Sequence, residues 1–457
     1  MNLIQLFFLF LSLSILIVLH ELGHFIPAKL FGTRVKKFYL FFDFLFPFPK
    51  ILNFSLFKKK IGDTEYGIGW FPFGGYVDIA GMVDETTTEE ELDKDDTPKE
   101  QQFRFKPAWQ RLIVMIGGVT VNMILAMVIY TGLLMAYGEE YLPMKNATNG
   151  IMVVDSIGYD LGLQDGDKII SINGNAVENF NDFEGDLLLN QAKTIRVYRD
   201  NQFVDLPVKS GVINKFIKKS GKNGGVAIIE PRFPTIVDQV TDGSNAKKAG
   251  LQVGDKFLAI DSVATPFFDE VKTQLSLHKN ATINILVDRN GTEKILTANV
   301  TKEGTLGYAP NLSLSEFYKT EKKSYGLFAA IPAGIKQSFE TLAKYFKSIK
   351  MLFTSPEVKA KDSLGGFYSI GKIFPRTFDW RAFWSITALI SVILAFMNIL
   401  PIPMLDGGYV LFLLIEMLIG RPVPQKIQNA AQTVGFVIVL FLLFYSNGLD
   451  IMRAFGK

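Results

Sequence analysis

Four stretches of this 457-residue chain carry no charged side chain: residues 1–20, 112–137, 382–405 and 427–449. Each can supply the ~20 apolar residues that a helix needs to cross a hydrocarbon core. The 48 Lys and Arg and the 45 Asp and Glu lie almost entirely between them. That distribution excludes a simple soluble globule, and 40 phenylalanines argue against a disordered chain. A net charge of +3 offers no case for nucleic acid as a partner. The chain has no cysteine, which removes disulfides, thiolate zinc ligands and cysteine nucleophiles from consideration. With only three histidines, the positions of His20, His24 and His278 become informative.

The first stretch lacks a basic leading region and a small-x-small cleavage site, so it reads as a span and not as a cleaved signal peptide. Lys29, Arg34, Lys36 and Lys37 follow it directly, as expected of a cytoplasmic loop. The expected organisation is a first span over 1–27, a cytoplasmic loop with a membrane-associated β-hairpin over 28–109, and a second span over 110–138. In that loop, Phe44, Phe46 and Phe48 alternate, which favours extended chain. Residues 67–77, punctuated by Gly67, Gly69, Gly74 and Gly75, read as the hairpin. The acidic run over 84–100 reads as a solvated loop.

Two tandem domains follow, over 139–225 and 226–310. Residues 162–174 align with 250–262 at an offset of 88, with seven of thirteen positions identical. The offset recurs where Thr194-Ile195-Arg196-Val197 answers Thr282-Ile283-Asn284-Ile285. Two copies at this period are tandem domains and not a solenoid. Each has a Gly-Asp turn leading into a strand, a pattern that resembles PDZ domains. Such domains bind peptides by adding a strand to a sheet edge. A pair acting only as a steric cap is the alternative. Residues 326–355 have apolar positions at helical spacing with Lys336, Lys344, Lys347 and Lys350 among them. This amphipathic helix is expected either on the membrane surface or against the second repeat. A third span over 382–418 and a fourth over 427–449 complete the chain. Alternation then places the amino terminus, the repeats and the carboxyl terminus outside, although Lys359, Lys361 and Lys372 on that side run against the positive-inside bias.

His20-Glu21-Leu22-Gly23-His24 is an H-E-x-x-H motif. Residues i and i+4 share a helix face, so both imidazoles can reach one zinc ion, with Glu21 beside them to take a proton from water. With so few histidines, the motif would arise by chance roughly once in a thousand such chains. It closes an uncharged span, where ionisable groups are costly and functional by default. A third ligand is needed. His278 lies in the second repeat among surface-type residues. The better candidate is Asp406, in Asn398-Ile399-Leu400-Pro401-Ile402-Pro403-Met404-Leu405-Asp406-Gly407-Gly408. Pro401 and Pro403 cannot continue a helix, and irregular backbone at membrane depth is tolerated where it lines an enclosed or wet cavity. A lone carboxylate there is expensive unless a metal ion neutralises it. Asn398 is a neutral group able to hold a substrate carbonyl.

Together these motifs resemble the site-2 protease family of intramembrane zinc metalloproteases, closest to the bacterial regulator of sigma E proteases. The likeness covers essentially the whole chain, including Phe71-Pro72-Phe73-Gly74-Gly75-Tyr76-Val77 and Gly118-x-x-x-Asn122. It implies a multi-pass α-helical membrane protein with four transmembrane helices, a membrane-associated β-hairpin region and two tandem PDZ-like domains. It implies Zn2+ held by His20, His24 and Asp406, with Glu21 as catalytic acid/base. Asn398, Gly74, Gly75, Tyr76 and Val77 would contact substrate. Gly118 and Asn122 would let the second span pack closely on the zinc-bearing helices. The implied substrates are single-span proteins of a bacterial inner membrane, anti-sigma-factor-like or signal-peptide remnants, cut in regulated intramembrane proteolysis with lipid as surroundings. No oligomeric state is implied. The family's Gly-Pro pair before the third span has only a similar counterpart here, Leu364-Gly365-Gly366-Phe367. A non-catalytic membrane PDZ scaffold and a membrane-anchored conventional zincin are the alternative classes.

Overall fold

A computed structural model describes residues 1–45, 51–72, 74–82, 96–223, 226–356 and 358–455. Phe46, Phe48, Phe73 and most of the acidic run (83–95) lie outside the described residues. The chain forms two compact units. One comprises Met1–Gly138, Ser324–Phe353 and Ser363–Lys457, the other Glu139–Lys323 and Thr354–Asp362.

The first unit is built on helices α1 (Leu3–Leu30), α2 (Ala108–Tyr137), α3 (Leu327–Thr354), α4 (Trp380–Ile399), α5 (Asp406–Ile419) and α6 (Gln425–Phe455). Four of them, α1, α2, α4 and α6, are long and apolar enough to cross a membrane. Asn2 starts α1 with a capping box, its side chain accepting from Gln5 N while Gln5 accepts from Asn2 N. Helices α1 and α2 meet through glycine. A Cβ on Gly23 would stand 2.5 Å from the Gly117 carbonyl oxygen, and one on Gly117 would stand 2.0 Å from that of Gly23. Only hydrogen fits there, so the two backbones touch. Buried hydroxyls join the other spans: Thr387 Oγ1 donates to Ser12 Oγ at 3.0 Å, and Ser391 Oγ donates to the Asn122 carbonyl at 2.7 Å. The third apolar stretch is interrupted. Helix α4 stops at Ile399 and α5 begins at Asp406, because Pro401 and Pro403 lack the N–H groups that would continue the ladder. The amphipathic α3 lays Gly334 against Thr131 of α2 and stacks Tyr345 and Phe346 edge-on to Phe396 of α4. Its other face, with Phe328, Phe339 and Phe353, is exposed.

Between α1 and α2 lies a four-stranded sheet of β1 (Val35–Leu40), β2 (Ser55–Ile61), β3 (Thr64–Gly69) and β4 (Tyr76–Ile79), in the order β2-β3-β1-β4. Here the structure corrects the expected hairpin over 67–77. The hairpin is β2–β3, turning at Gly62 with φ +60°. Strand β3 then pairs parallel to β1, while β4 pairs antiparallel to the opposite side of β1. The glycines were read as turn signals, yet none of Gly67, Gly69, Gly74 or Gly75 has positive φ. They mark close approach: a Cβ on Gly67 would meet the Tyr39 ring at 2.3 Å, and one on Gly69 the Phe42 carbonyl at 2.1 Å. Phe44 is buried but lies beyond the end of β1.

The second unit contains the two repeats. Lys168–Ile172, Asn175–Ala176, Thr194–Arg199 and Gln202–Pro207 form one four-stranded sheet. Lys256–Ile260, Val263–Ala264, Thr282–Arg289 and Thr292–Asn299 form its counterpart. Each repeat also has a strand pair, Ile151–Val153 with Ile229–Pro231 and Val237–Val240 with Tyr308–Pro310, so the first domain runs past the expected boundary at 225/226 because its closing strand comes from 229–231. These are two tandem PDZ-like domains, each with its own apolar core, around Phe183 in the first and Phe257 in the second. The repeated Gly-Asp turn has a common physical cause. Asp167 and Asp255 are buried, and each takes a two-point salt bridge from an arginine, Arg199 at 2.6 and 2.7 Å and Arg289 at 2.6 and 2.6 Å. Each aspartate also accepts the backbone N–H three residues before it. Asp255→Ala would strand Arg289, which is 14% exposed. The expected cost is about 3 kcal/mol. Hydrogen exchange on the full chain should read this as roughly 100-fold faster opening of the second repeat. Unchanged protection of residues 256–299 would refute it.

Candidate metal centre

His20 and His24 lie one turn apart on α1, and their Nε2 atoms are 3.3 Å apart. Asp406, the first residue of α5, brings Oδ2 to 3.4 Å from each of these nitrogens. The three donors thus form a nearly equilateral triangle. Such a set can hold a metal ion, and its chemistry fits zinc. Bonds of about 2.0–2.1 Å at tetrahedral angles separate their donor atoms by about 3.3 Å. Asp406 Oδ2 is buried without a hydrogen-bond partner, a costly state for a carboxylate oxygen that a cation relieves. Three protein ligands leave a fourth position free, as in catalytic zinc sites.

The neighbouring elements position each donor. His24 Nδ1 lies 2.8 Å from the Val114 carbonyl, which can only accept. The proton therefore sits on Nδ1, and the Nε2 lone pair faces Asp406. Gly118 of α2 leaves room for both rings: a Cβ there would stand 2.4 Å from His24 Nε2 and 2.6 Å from His20 Cε1. Residues 400–405 fold back on themselves through Ile402 N to Leu400 O at 2.7 Å and Leu405 N to Ile402 O at 3.1 Å. Met404 takes φ +88° at that point, an uncommon conformation for a side-chain-bearing residue. Gly407 and Gly408 then allow α5 to restart against the loop, since a Cβ on Gly407 would meet the Leu400 carbonyl at 2.2 Å. This compaction delivers the Asp406 carboxylate to α1.

A cavity of about 170 Å³ opens on the triangle. Glu21, Asn398, Tyr76 and Val77 line it, together with Met404, Tyr409 and Gln432. Asn398 Nδ2 is 3.3 Å from His20 Nε2. Among the described residues β4 is an edge strand, so Tyr76 and Val77 bring a sheet edge to the cavity. Gly74 and Gly75 are not part of the lining. They press on Phe42 and Ile17, where a Cβ would stand 2.3 and 2.6 Å away. The Tyr76 hydroxyl donates to buried Asp43 at 3.0 Å. Burial, reinforced by Asp43, raises its phenol well above the ordinary range, and burial pushes Tyr39 up to about 12. Both remain neutral donors that brace the strand. His278, read as uninvolved, bonds the Gln274 carbonyl at 2.8 Å in the other unit.

Sequence reasoning assigned Gly118 and Asn122 to helix packing, yet both touch the imidazoles. Their i, i+4 spacing matches that of His20 and His24, and this shared period was the available signal. Met404, Tyr409 and Gln432 carried no comparable signal.

The profile of Peptidase family M50 matches residues 8–442. The chain is 27% identical to "Regulator of sigma E protease" of Haemophilus influenzae, over 97% of each chain. It is 29% identical to a "Putative zinc metalloprotease" of Vibrio cholerae, again over 97% of each. It is 26% identical to "Regulator of sigma-E protease RseP" of Salmonella typhimurium, over 98% of this chain and 97% of that one. With a profile that covers nearly the whole chain and a donor set suited to zinc, this integral membrane protein belongs to peptidase family M50, the site-2 protease family of zinc metalloproteases.

Proposed function

We propose that this protease cuts within the membrane, hydrolysing a peptide bond in the transmembrane segment of single-span proteins. The observation that carries this reading is the origin of the donor triangle: two ligands come from α1 and the third from the break that follows α4, all within or beside apolar spans. A zincin with a soluble active site would draw its ligands from polar helices. In this reading His20, His24 and Asp406 are the zinc ligands. Zinc, when bound, supplies Lewis-acid polarisation of the scissile carbonyl and a more acidic water.

The chain's own groups do the rest. Glu21, in the cavity wall, takes the proton of the attacking water and returns it to the leaving nitrogen. Asn398 donates to the substrate carbonyl through its amide. A helical substrate must unwind before its carbonyls are accessible, and the β4 edge at Tyr76 and Val77 replaces the hydrogen bonds lost on unwinding. Gly75 lets that edge lie close to Ile17 of α1, and Gly74 seats the chain before it on Phe42. Two of the relatives, from Haemophilus influenzae and Salmonella typhimurium, are named as regulators of sigma E. Substrates of the anti-sigma-factor kind, and signal-peptide remnants, are the classes proposed for this chain. It would sit in a bacterial inner membrane with the PDZ-like pair outside, as a filter for substrates whose outer domain has been trimmed.

Glu21→Gln should retain stoichiometric zinc yet lower cleavage of a single-span reporter by at least about 100-fold; retained proteolysis would sink the mechanism. Asp406→Ala and His24→Ala should each lose zinc, and a chelator should silence the wild type until zinc is restored. A protein that purifies without zinc and ignores chelator would be the non-catalytic scaffold. Gly75→Leu would drive a side chain into Ile17 Cγ2 and the Tyr39 carbonyl. Its expected signature is at least tenfold weaker reporter cleavage at unchanged zinc content (roughly 1.4 kcal/mol in transition-state terms). Full cleavage by that variant would remove the β4 edge from the reading.

A further inference from the structure

Asn122 of α2 has no exposed surface, and its Oδ1 is buried without a hydrogen-bond partner. Its Nδ2 instead stands 3.2 Å from His20 Nδ1. Packing does not require a polar amide here, since the neighbouring Ala126, Ala388 and Val392 fill the α2–α4 contact with apolar atoms. The residue is nonetheless held firmly: Ser391 of α4 clamps its backbone carbonyl at 2.7 Å.

The partner ligand shows what the amide is for. His24 has its outer nitrogen satisfied by the Val114 carbonyl, which orients the ring and presents Nε2 to the centre. Val114 and Asn122 are two turns apart on α2, which therefore backs both imidazoles from one face. For His20 to present the Nε2 lone pair likewise, its Nδ1 must carry the proton, and that proton needs an acceptor. Turning the Asn122 amide by 180° exchanges its oxygen and nitrogen. Oδ1 then accepts Nδ1–H, and Nδ2 takes the place that Oδ1 held. The Gly118 carbonyl also approaches this ring and is the competing acceptor.

We infer that Asn122 is a positioning residue of the metal centre, accepting the Nδ1 proton of His20 and thereby fixing the tautomer and orientation in which His20 binds zinc. It touches neither substrate nor the reacting atoms. Histidine ligands generally depend on such outer partners, whose loss weakens metal affinity by about 10–100-fold. The inference rests on the reading of His20, His24 and Asp406 as zinc ligands.

The test is zinc affinity of the full chain in detergent, measured by competition with a chelator series and followed by gel filtration. Asn122→Leu keeps the volume and removes the acceptor, so its affinity should fall by about 10–100-fold. Asn122→Ser, whose hydroxyl is too short to reach the ring, should behave alike and serves if the leucine variant does not fold. Asn122→Asp keeps the acceptor and should bind zinc about as tightly as the wild type. With cobalt in place of zinc, the ligand-field spectrum should shift in the leucine or serine variant and be restored by aspartate. Wild-type affinity in the leucine or serine variant would overturn the inference and assign the proton to the Gly118 carbonyl. Equal weakening in all three variants would also overturn it, because size and not acceptance would then matter. His24→Ala separates the two levels: if it abolishes binding, such failures concern Asn122 alone, whereas zinc binding indifferent to His24 removes both the ligand reading and the inference.

Discussion

A carboxylate oxygen that is buried between apolar spans without a hydrogen-bond partner must be given a cation or a proton. Asp406 is in that position, with the Nε2 atoms of the two imidazoles 3.4 Å from its Oδ2. Bringing three donors to 3.3–3.4 Å of one another demands that separate helices approach more closely than side chains normally permit. The rest of the first unit meets that demand. Gly23 against Gly117 brings α1 and α2 to backbone contact, Gly118 clears the space the imidazoles occupy, and the two prolines end α4 so that α5 can start at the metal centre. Glycine recurs at each of these approaches because hydrogen is the only side chain that fits.

The sheet between α1 and α2 serves the same centre from another direction. Its strand order puts β4 at an edge, and Tyr76 and Val77 on that edge form part of the cavity wall. The strand is braced from behind by stacking of Tyr76 on Tyr39 and by the hydrogen bond to Asp43. An edge strand is a liability in a soluble protein because it invites pairing. In the proposed reading the same property is what holds an extended peptide beside the metal centre. The amphipathic α3 is further evidence that the spans are not a bare bundle, since one of its faces packs on α2 and α4 while its phenylalanines stay exposed.

Legibility in the sequence followed the range of the physical signal. His20 and His24 are four apart, so helix geometry alone puts them on one face. The Pro401-x-Pro403 break announces itself through missing donors. The two repeats declare themselves by identity at a fixed offset, and the buried Asp–Arg pairs explain why the Gly-Asp turn is the part retained in both. The glycines of 67–77 were misread because glycine has two uses, positive φ and close approach, and local sequence does not distinguish them. Asn122 was read as packing for a related reason. Its partner, His20, is 102 residues away, and nothing local says that a buried amide faces a ring nitrogen.

By itself, therefore, the sequence determined the class of molecule and its reactive groups: four apolar spans, two PDZ-like repeats, H-E-x-x-H, and an aspartate after a proline break. These follow from periodicity, charge exclusion and residue chemistry, which act over a few neighbours. Only the tertiary structure decided that Asp406 reaches the two imidazoles, that β4 and not a hairpin over 67–77 borders the cavity, and that α2 backs both histidines through Val114 and Asn122. Those outcomes depend on which helices touch and on which side of β1 each strand pairs. Such choices are set by packing between distant segments, where a hydrogen in place of a methyl group decides whether two backbones can meet.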